Sequence, residues 1–166
     1  YEKLGEGASA KQWFELGGGG SSGMFKIALD YFNARDYQNA AASFRKFLEG
    51  RPESVPAWKN LAQSLQQLGK LEEAADAYEQ ALEIQPDRRD VASKLAFVYS
   101  DLGRWNDAAA IAEDAVANWS EEETEKDSMY FLMGKILEKR DANYQKAIEM
   151  FERAKDDPYW GELAIR

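Results

Sequence analysis

Residues 57–87 read AWKNLAQSLQQLGKLEEAADAYEQALEIQPD. Apolar residues recur there at helical spacing on both sides of a break, QLGKL, which predicts two helices joined by a tight turn. Displaced by 34 residues, the chain falls on itself: Met24, Trp58 and Ala92 coincide, as do Ile27, Leu61 and Leu95, and Ala28, Ala62 and Ala96. The register continues through Tyr31, Leu65 and Tyr99, then Tyr37, Leu71 and Trp105, then Ala40, Ala74 and Ala108. Phe44, Tyr78 and Ala112, with Phe47, Ala81 and Ala115, complete it. A period of this length marks an architecture in which each copy is one supersecondary element that buries its face against its neighbours.

A fourth copy begins after four extra residues, at Tyr130, Met133, Gly134 and Leu137. One further residue enters its internal turn before Tyr144, Ala147, Phe151 and Ala154 resume the series. Small residues at 28, 62, 96 and 134 mark where the two helices of a copy approach closely. The alanines at 40, 74, 108 and 147 do the same from the second helix, and large neighbours fill the holes, so each pair locks antiparallel. Pro52 and Pro86 stop second helices. The third copy carries Ser120 at that place, so the joint before the fourth is expected to be irregular.

At Trp58-x2-Leu61-Ala62, Ala74-x3-Tyr78 and Pro86 the middle copy resembles a tetratricopeptide repeat, and the likeness runs over about residues 22–158. It implies an all-α, right-handed α-solenoid of four helical hairpins, at about 24–54, 55–88, 89–122 and 127–157. DDPYWGELAIR resembles the start of the extra helix that covers the last repeat in this family, with Asp157 as cap and Pro158 in the first turn. That capping helix, residues 158–166, is expected to be truncated.

The N-terminus breaks the pattern. GGGGSSG, residues 17–23, reads as an engineered flexible linker. Residues 1–16 are then a fused peptide, with a capping-box spacing at Ser9-Ala10-Lys11-Gln12 and a short helix over about 10–16. Trp13, Phe14 and Leu16 are its candidate anchors, and Gly17 its stop. Seven linker residues span roughly 15 Å on average and at most about 25 Å. A tethered ligand is the leading reading of residues 1–16; an N-terminal cap over the first hairpin and an inert tag are the alternatives.

By the geometry of the family, the first helix of each hairpin lines a concave surface. Its facing positions here are Phe25, Leu29 and Phe32; Lys59, Gln63 and Gln66; Ser93, Phe97 and Ser100; and Phe131, Lys135 and Glu138. Exposed aromatic and aliphatic residues there would form a protein-binding groove, although Phe25, Leu29 and Phe32 could equally pack under an N-terminal element. A helical peptide would lay Trp13, Phe14 and Leu16 on that floor, with Lys59 and Lys135 orienting its carboxylates. Relatives that grip the carboxyl-terminal tails of chaperones use Lys and Asn at matched positions. Here Phe25 and Leu29 replace the first pair, Asn60 could stand for the second Asn, Asp90 sits where a Lys is expected, and only Lys94 agrees, which disfavours an acidic tail as ligand.

Composition narrows the rest. A net charge of −9 argues against nucleic acid. With no cysteine and no histidine, thiolate and imidazole metal sites and histidine-activated serine nucleophiles are excluded. SEEETEKD, residues 120–127, lacks the ligand alternation and turn glycine of a calcium loop and reads as a solvated loop before a helix. No apolar run reaches the roughly 20 residues that span a bilayer, and residues 1–16 lack a signal-peptide core. The absence of cysteine suits a bacterial cytoplasm or periplasm and separates neither. The expectation is a non-catalytic scaffold or adaptor without cofactor, holding a short aromatic-containing segment of a protein partner. A structural assembly module, dimerising by exchange of the arm 1–16, is the competing reading.

Overall fold

Every predicted break in the repeat turns through one left-handed residue. Arg35, Gly69 and Gly103 have φ of 60°, 73° and 73°, and Ala142 has φ of 50°. The first three are successive copies of one position; Ala142 is that position after the inserted residues. A backbone bond closes each turn: Asp36 N–H to Tyr31 O (2.9 Å), Lys70 N–H to Leu65 O (2.9 Å), Arg104 N–H to Tyr99 O (2.8 Å) and Asn143 N–H to Leu137 O (2.8 Å). The last bond reaches back one residue further than the others, which is how the extra residue is absorbed.

The computed structural model describes residues 21–120 and 124–154, and among these every regular element is helical. The helices are α1 (Ser21–Asn33), α2 (Tyr37–Gly50), α3 (Val55–Gln67), α4 (Leu71–Ile84), α5 (Arg89–Asp101), α6 (Trp105–Asn118), α7 (Thr124–Lys139) and α8 (Tyr144–Ala154). Second helices begin at the predicted Tyr37, Leu71, Trp105 and Tyr144. Asp36 caps α2 by accepting from Asn39 N–H at 3.2 Å, and Asn143 caps α8 by accepting from Lys146 N–H at 3.2 Å.

The chain falls into two compact units, up to Gln85 and from Pro86. In the first, α1 packs on α2, α2 on α3 and α3 on α4; in the second, α5 packs on α6, α6 on α7 and α7 on α8. Ala28, Ala40, Ala62, Ala74, Ala96 and Ala108 are wholly buried, as are Phe44 and Tyr78. Gly134 marks the tightest approach: a Cβ there would lie 2.5 Å from the Phe151 ring. The alternation of small and large residues read from the sequence is thus the packing of each hairpin.

Two boundaries and two side-chain environments differ from expectation. Helix α1 starts at Ser21, inside the stretch 17–23 that reads as a linker, so Ser21–Gly23 form its first turn. Helix α7 starts at Thr124, three residues early, because most of the four-residue insertion winds into an added turn. That turn takes Lys126 out of the loop expected over 120–127 and buries it. Tyr144, matched to half-buried Tyr37, Leu71 and Trp105, is instead 62% exposed. The helix expected over 10–16, residues 17–20 of the expected linker and the expected capping helix over 158–166 lie outside the described residues.

The irregular joint is built differently from the regular one. Between α2 and α3, the Trp58 indole N–H donates to Pro52 O at 2.7 Å. Between α6 and α7, Trp119 takes the closing position and is buried, its Nε1 donating to Asp114 Oδ2 at 3.3 Å. Buried Lys126 donates from Nζ to Trp119 O at 2.6 Å, placing a cation on the carbonyl end of α6 where the helix dipole favours it.

Candidate functional site

The face on the first unit is carried by α1 and α3. The spacing of four and three residues puts Phe25, Leu29 and Phe32 on one side of α1, and Lys59, Gln63 and Gln66 on the matching side of α3. All six are half-buried. This corrects the picture of freely exposed aromatic groups, because the rings lean onto their own hairpin. Phe25 meets Phe44 and Phe47 of α2 at centroid distances of 5.7 and 5.3 Å, and Phe32 meets Tyr37 at 5.5 Å. Gln66 is positioned from below, its Oε1 accepting from the buried Tyr78 hydroxyl at 3.3 Å. Burial pushes the Tyr78 phenol well above its ordinary pKa, so it stays a donor.

On the second unit, α5 and α7 carry the corresponding residues. Phe97, Phe131, Lys135 and Glu138 are half-buried. Ser93 and Ser100 are only 6% and 4% exposed, which removes them from an open groove floor. The Ser93 hydroxyl turns inward to Asp90 O at 3.3 Å, and Ser100 Oγ is buried without a hydrogen-bond partner. Their burial was not legible because a short side chain is sealed or left open by what packs around it, which helical spacing does not state. The Phe131 ring packs on Phe151 at 5.7 Å, over the gap that Gly134 leaves.

Two residues weighed for chaperone-tail binding have structural work instead. The Asn60 side-chain amide donates to Pro56 O at 2.8 Å, and Asp90 pairs with Arg88 at 2.8 Å. The sequence did not reveal a cleft of about 440 Å³ on the first unit, between α2 and α4 with Trp58, Leu61 and Leu65 of α3 at its base. The Arg45–Glu73 ion pair lies on its lining. A hydrogen bond from Lys70, with Arg45 adding to it, holds the Glu73 carboxyl below its ordinary pKa. Residues 28 apart in sequence meet there, so only the pairing of successive hairpins could show it.

A tetratricopeptide repeat family model matches residues 25–89, and that of the TT21 fifth ARM repeats domain matches residues 70–166. No curated protein sequence matches. Among solved structures the chain is similar to MamA (41-end) from Desulfovibrio magneticus RS-1, with a TM-score of 0.74 and 19% identity, covering 88% of this chain and 80% of that one. It is also similar to a tetratricopeptide repeat protein from Parabacteroides merdae ATCC 43184 (TM-score 0.73, 15% identity, 88% of this chain and 56% of that one). Pseudomonas aeruginosa pilF gives a TM-score of 0.68 at 20% identity, covering 81% of this chain and 59% of that one. These likenesses establish the fold, an all-α solenoid of helical hairpins.

Proposed function

The chain belongs to the tetratricopeptide repeat family and, over residues 70–166, to that of the TT21 fifth ARM repeats domain, and on that premise we propose that it is a non-catalytic adaptor. Proteins with these repeats are generally protein-interaction scaffolds. The ligand is a short amphipathic segment of a protein partner, represented by residues 1–16, and the receiving faces are those of the first helices. One observation carries the reading. Phe25, Leu29, Phe32, Phe97 and Phe131 keep part of their surface open to water, while the alanines beneath them at 28 and 96 are sealed. Large apolar groups held half-open on a rigid scaffold gain most from a partner that completes their burial.

Trp13 is the anchor in this reading, since tryptophan most often dominates such interfaces. Titrating a free peptide of residues 1–16 into a chain of residues 21–166 is expected to show binding. Trp13→Ala in the peptide is expected to weaken it by at least about 2 kcal/mol, roughly 30-fold. Equal affinity of the two peptides would remove Trp13 from the interface and with it the adaptor reading.

A further inference from the structure

The cleft on the first unit has a counterpart on the second, and the repeat shows what belongs in it. In the first, half-buried Trp58 of α3 lies at the base, with Asp76, Glu79 and Gln80 of α4 and Arg45 of α2 on the lining. The register that matches Ala74 with Ala147 and Tyr78 with Phe151 carries Gln80 onto Arg153, while Trp58 corresponds to Tyr130. In the fourth hairpin the chain supplies a cation to the ring from its own second helix. The Arg153 guanidinium lies 5.3 Å over the Tyr130 ring, and its Nη1 donates to the Tyr130 hydroxyl at 3.1 Å.

The second hairpin has a glutamine at that position, and its amide donates along α4 to Glu83 at 3.0 Å. Among the described residues no cation lies over the Trp58 ring, although an indole attracts cations more strongly than a phenol does. The ring is already fixed in place by its N–H bond to Pro52 O at 2.7 Å, so a ligand need not order it. Glu73 is engaged by Arg45 and by Lys70, the latter at 3.3 Å. Asp76 is exposed and makes no hydrogen bond or ion pair among the described residues. An aromatic face beside such a carboxylate suits a flat cation that stacks and donates hydrogen bonds at once, which a guanidinium does and an ammonium does not.

We propose that the cleft between α2 and α4 receives an arginine side chain of a protein partner, with its guanidinium over Trp58 and paired with Asp76, and its stem toward Leu61 and Leu65. The volume of about 440 Å³ exceeds what one guanidinium fills, so residues flanking the arginine enter with it and the occupant is a chain segment. This surface is distinct from the faces of the first helices and needs nothing of residues 1–16. The chain then carries a site for a basic segment in addition to the apolar faces.

The test titrates the ¹⁵N-labelled full chain with a capped pentapeptide, Gly-Leu-Arg-Leu-Gly, and follows the Trp58 indole N–H resonance. About 150 mM salt screens charges more than roughly 8 Å apart. A saturable shift is expected. Citrulline in place of the arginine removes the charge and keeps the shape, and should weaken binding at least about tenfold. Arginine amide alone should also bind at least about tenfold more weakly, having no flanking residues to bury. Asp76→Asn should cost at least about threefold. Gln80→Arg, which supplies a guanidinium from α4 as Arg153 does in the fourth hairpin, should abolish the shift. Glu72→Gln, exposed on α4 outside the lining, should leave affinity unchanged. The proposal is overturned by no saturable shift, by equal affinity for the citrulline peptide or for arginine amide, or by undiminished binding to Gln80→Arg. Equal losses in Glu72→Gln and Asp76→Asn would reduce the effect to attraction by the net charge of −9 and overturn it too. The adaptor reading fails separately, if the free peptide of residues 1–16 does not bind residues 21–166 or binds without regard to Trp13.

Discussion

The joint between α2 and α3 and the joint between α6 and α7 solve one problem in two ways. Both must turn the chain from the end of one hairpin into the start of the next. The first uses stiffness: Pro52 cannot continue α2, and the Trp58 indole ties its carbonyl at 2.7 Å while both stay partly solvated. The second has no proline and uses burial. Trp119 is 6% exposed and Lys126 4%, and the ammonium holds the Trp119 carbonyl at 2.6 Å. The Arg89 guanidinium lies 5.6 Å over the Trp119 ring, and Lys126 also faces the Tyr130 ring at 5.7 Å. Where a local rule is missing, packing takes its place, and the joint then depends on more distant residues.

Breaking the buried joint should therefore cost most. Trp119→Ala is expected to destabilise the second unit by about 3–5 kcal/mol, through lost burial and the cavity left behind. Urea unfolding followed by circular dichroism reads it, and a loss under about 1 kcal/mol would mean that the ring is not the keystone. Lys126→Met keeps the stem but leaves the Trp119 carbonyl without this donor, for an expected loss of about 2 kcal/mol. No loss would show that an apolar side chain serves this site as well as the ammonium does.

The regular joint should be less sensitive. Trp58→Phe removes the bond to Pro52 O and is expected to cost about 1 kcal/mol in the first unit, by the same titration. A cost equal to that of Trp119→Ala would erase the distinction between the joints. The smallest effects sharpen the comparison at the turns inside the hairpins. Gly103→Ala, at φ +73°, should cost about 1 kcal/mol, whereas Ala142→Gly should raise stability by somewhat less, since it relieves a left-handed alanine. Differential scanning calorimetry resolves both signs, and a stabilising Gly103→Ala would contradict the turn assignment.

Much of this was legible beforehand. The 34-residue register located the break inside each hairpin, including the lengthened fourth one, because the extra residue was countable from Tyr144, Ala147 and Phe151; the left-handed residue at each break came from the structure. The candidate faces were legible as positions but not as environments. Phe25 and Phe131 share ring contacts with their own hairpins, and Ser93 and Ser100 sink below the surface. Lys126 was hidden in an acidic run, where composition pointed to solvent. Nothing in that run shows that an added turn would rotate one ammonium onto a carbonyl seven residues earlier.

By itself the sequence determined the number of hairpins, their turns and which small residues sit at the crossings. Those are properties of local spacing, repeated often enough to exclude other registers. Tertiary structure alone decided how the irregular joint closes and how far each groove residue stays open to water. Each of these depends on which surfaces meet after the helices form, and burial, unlike helical period, is not a property that a residue carries alone.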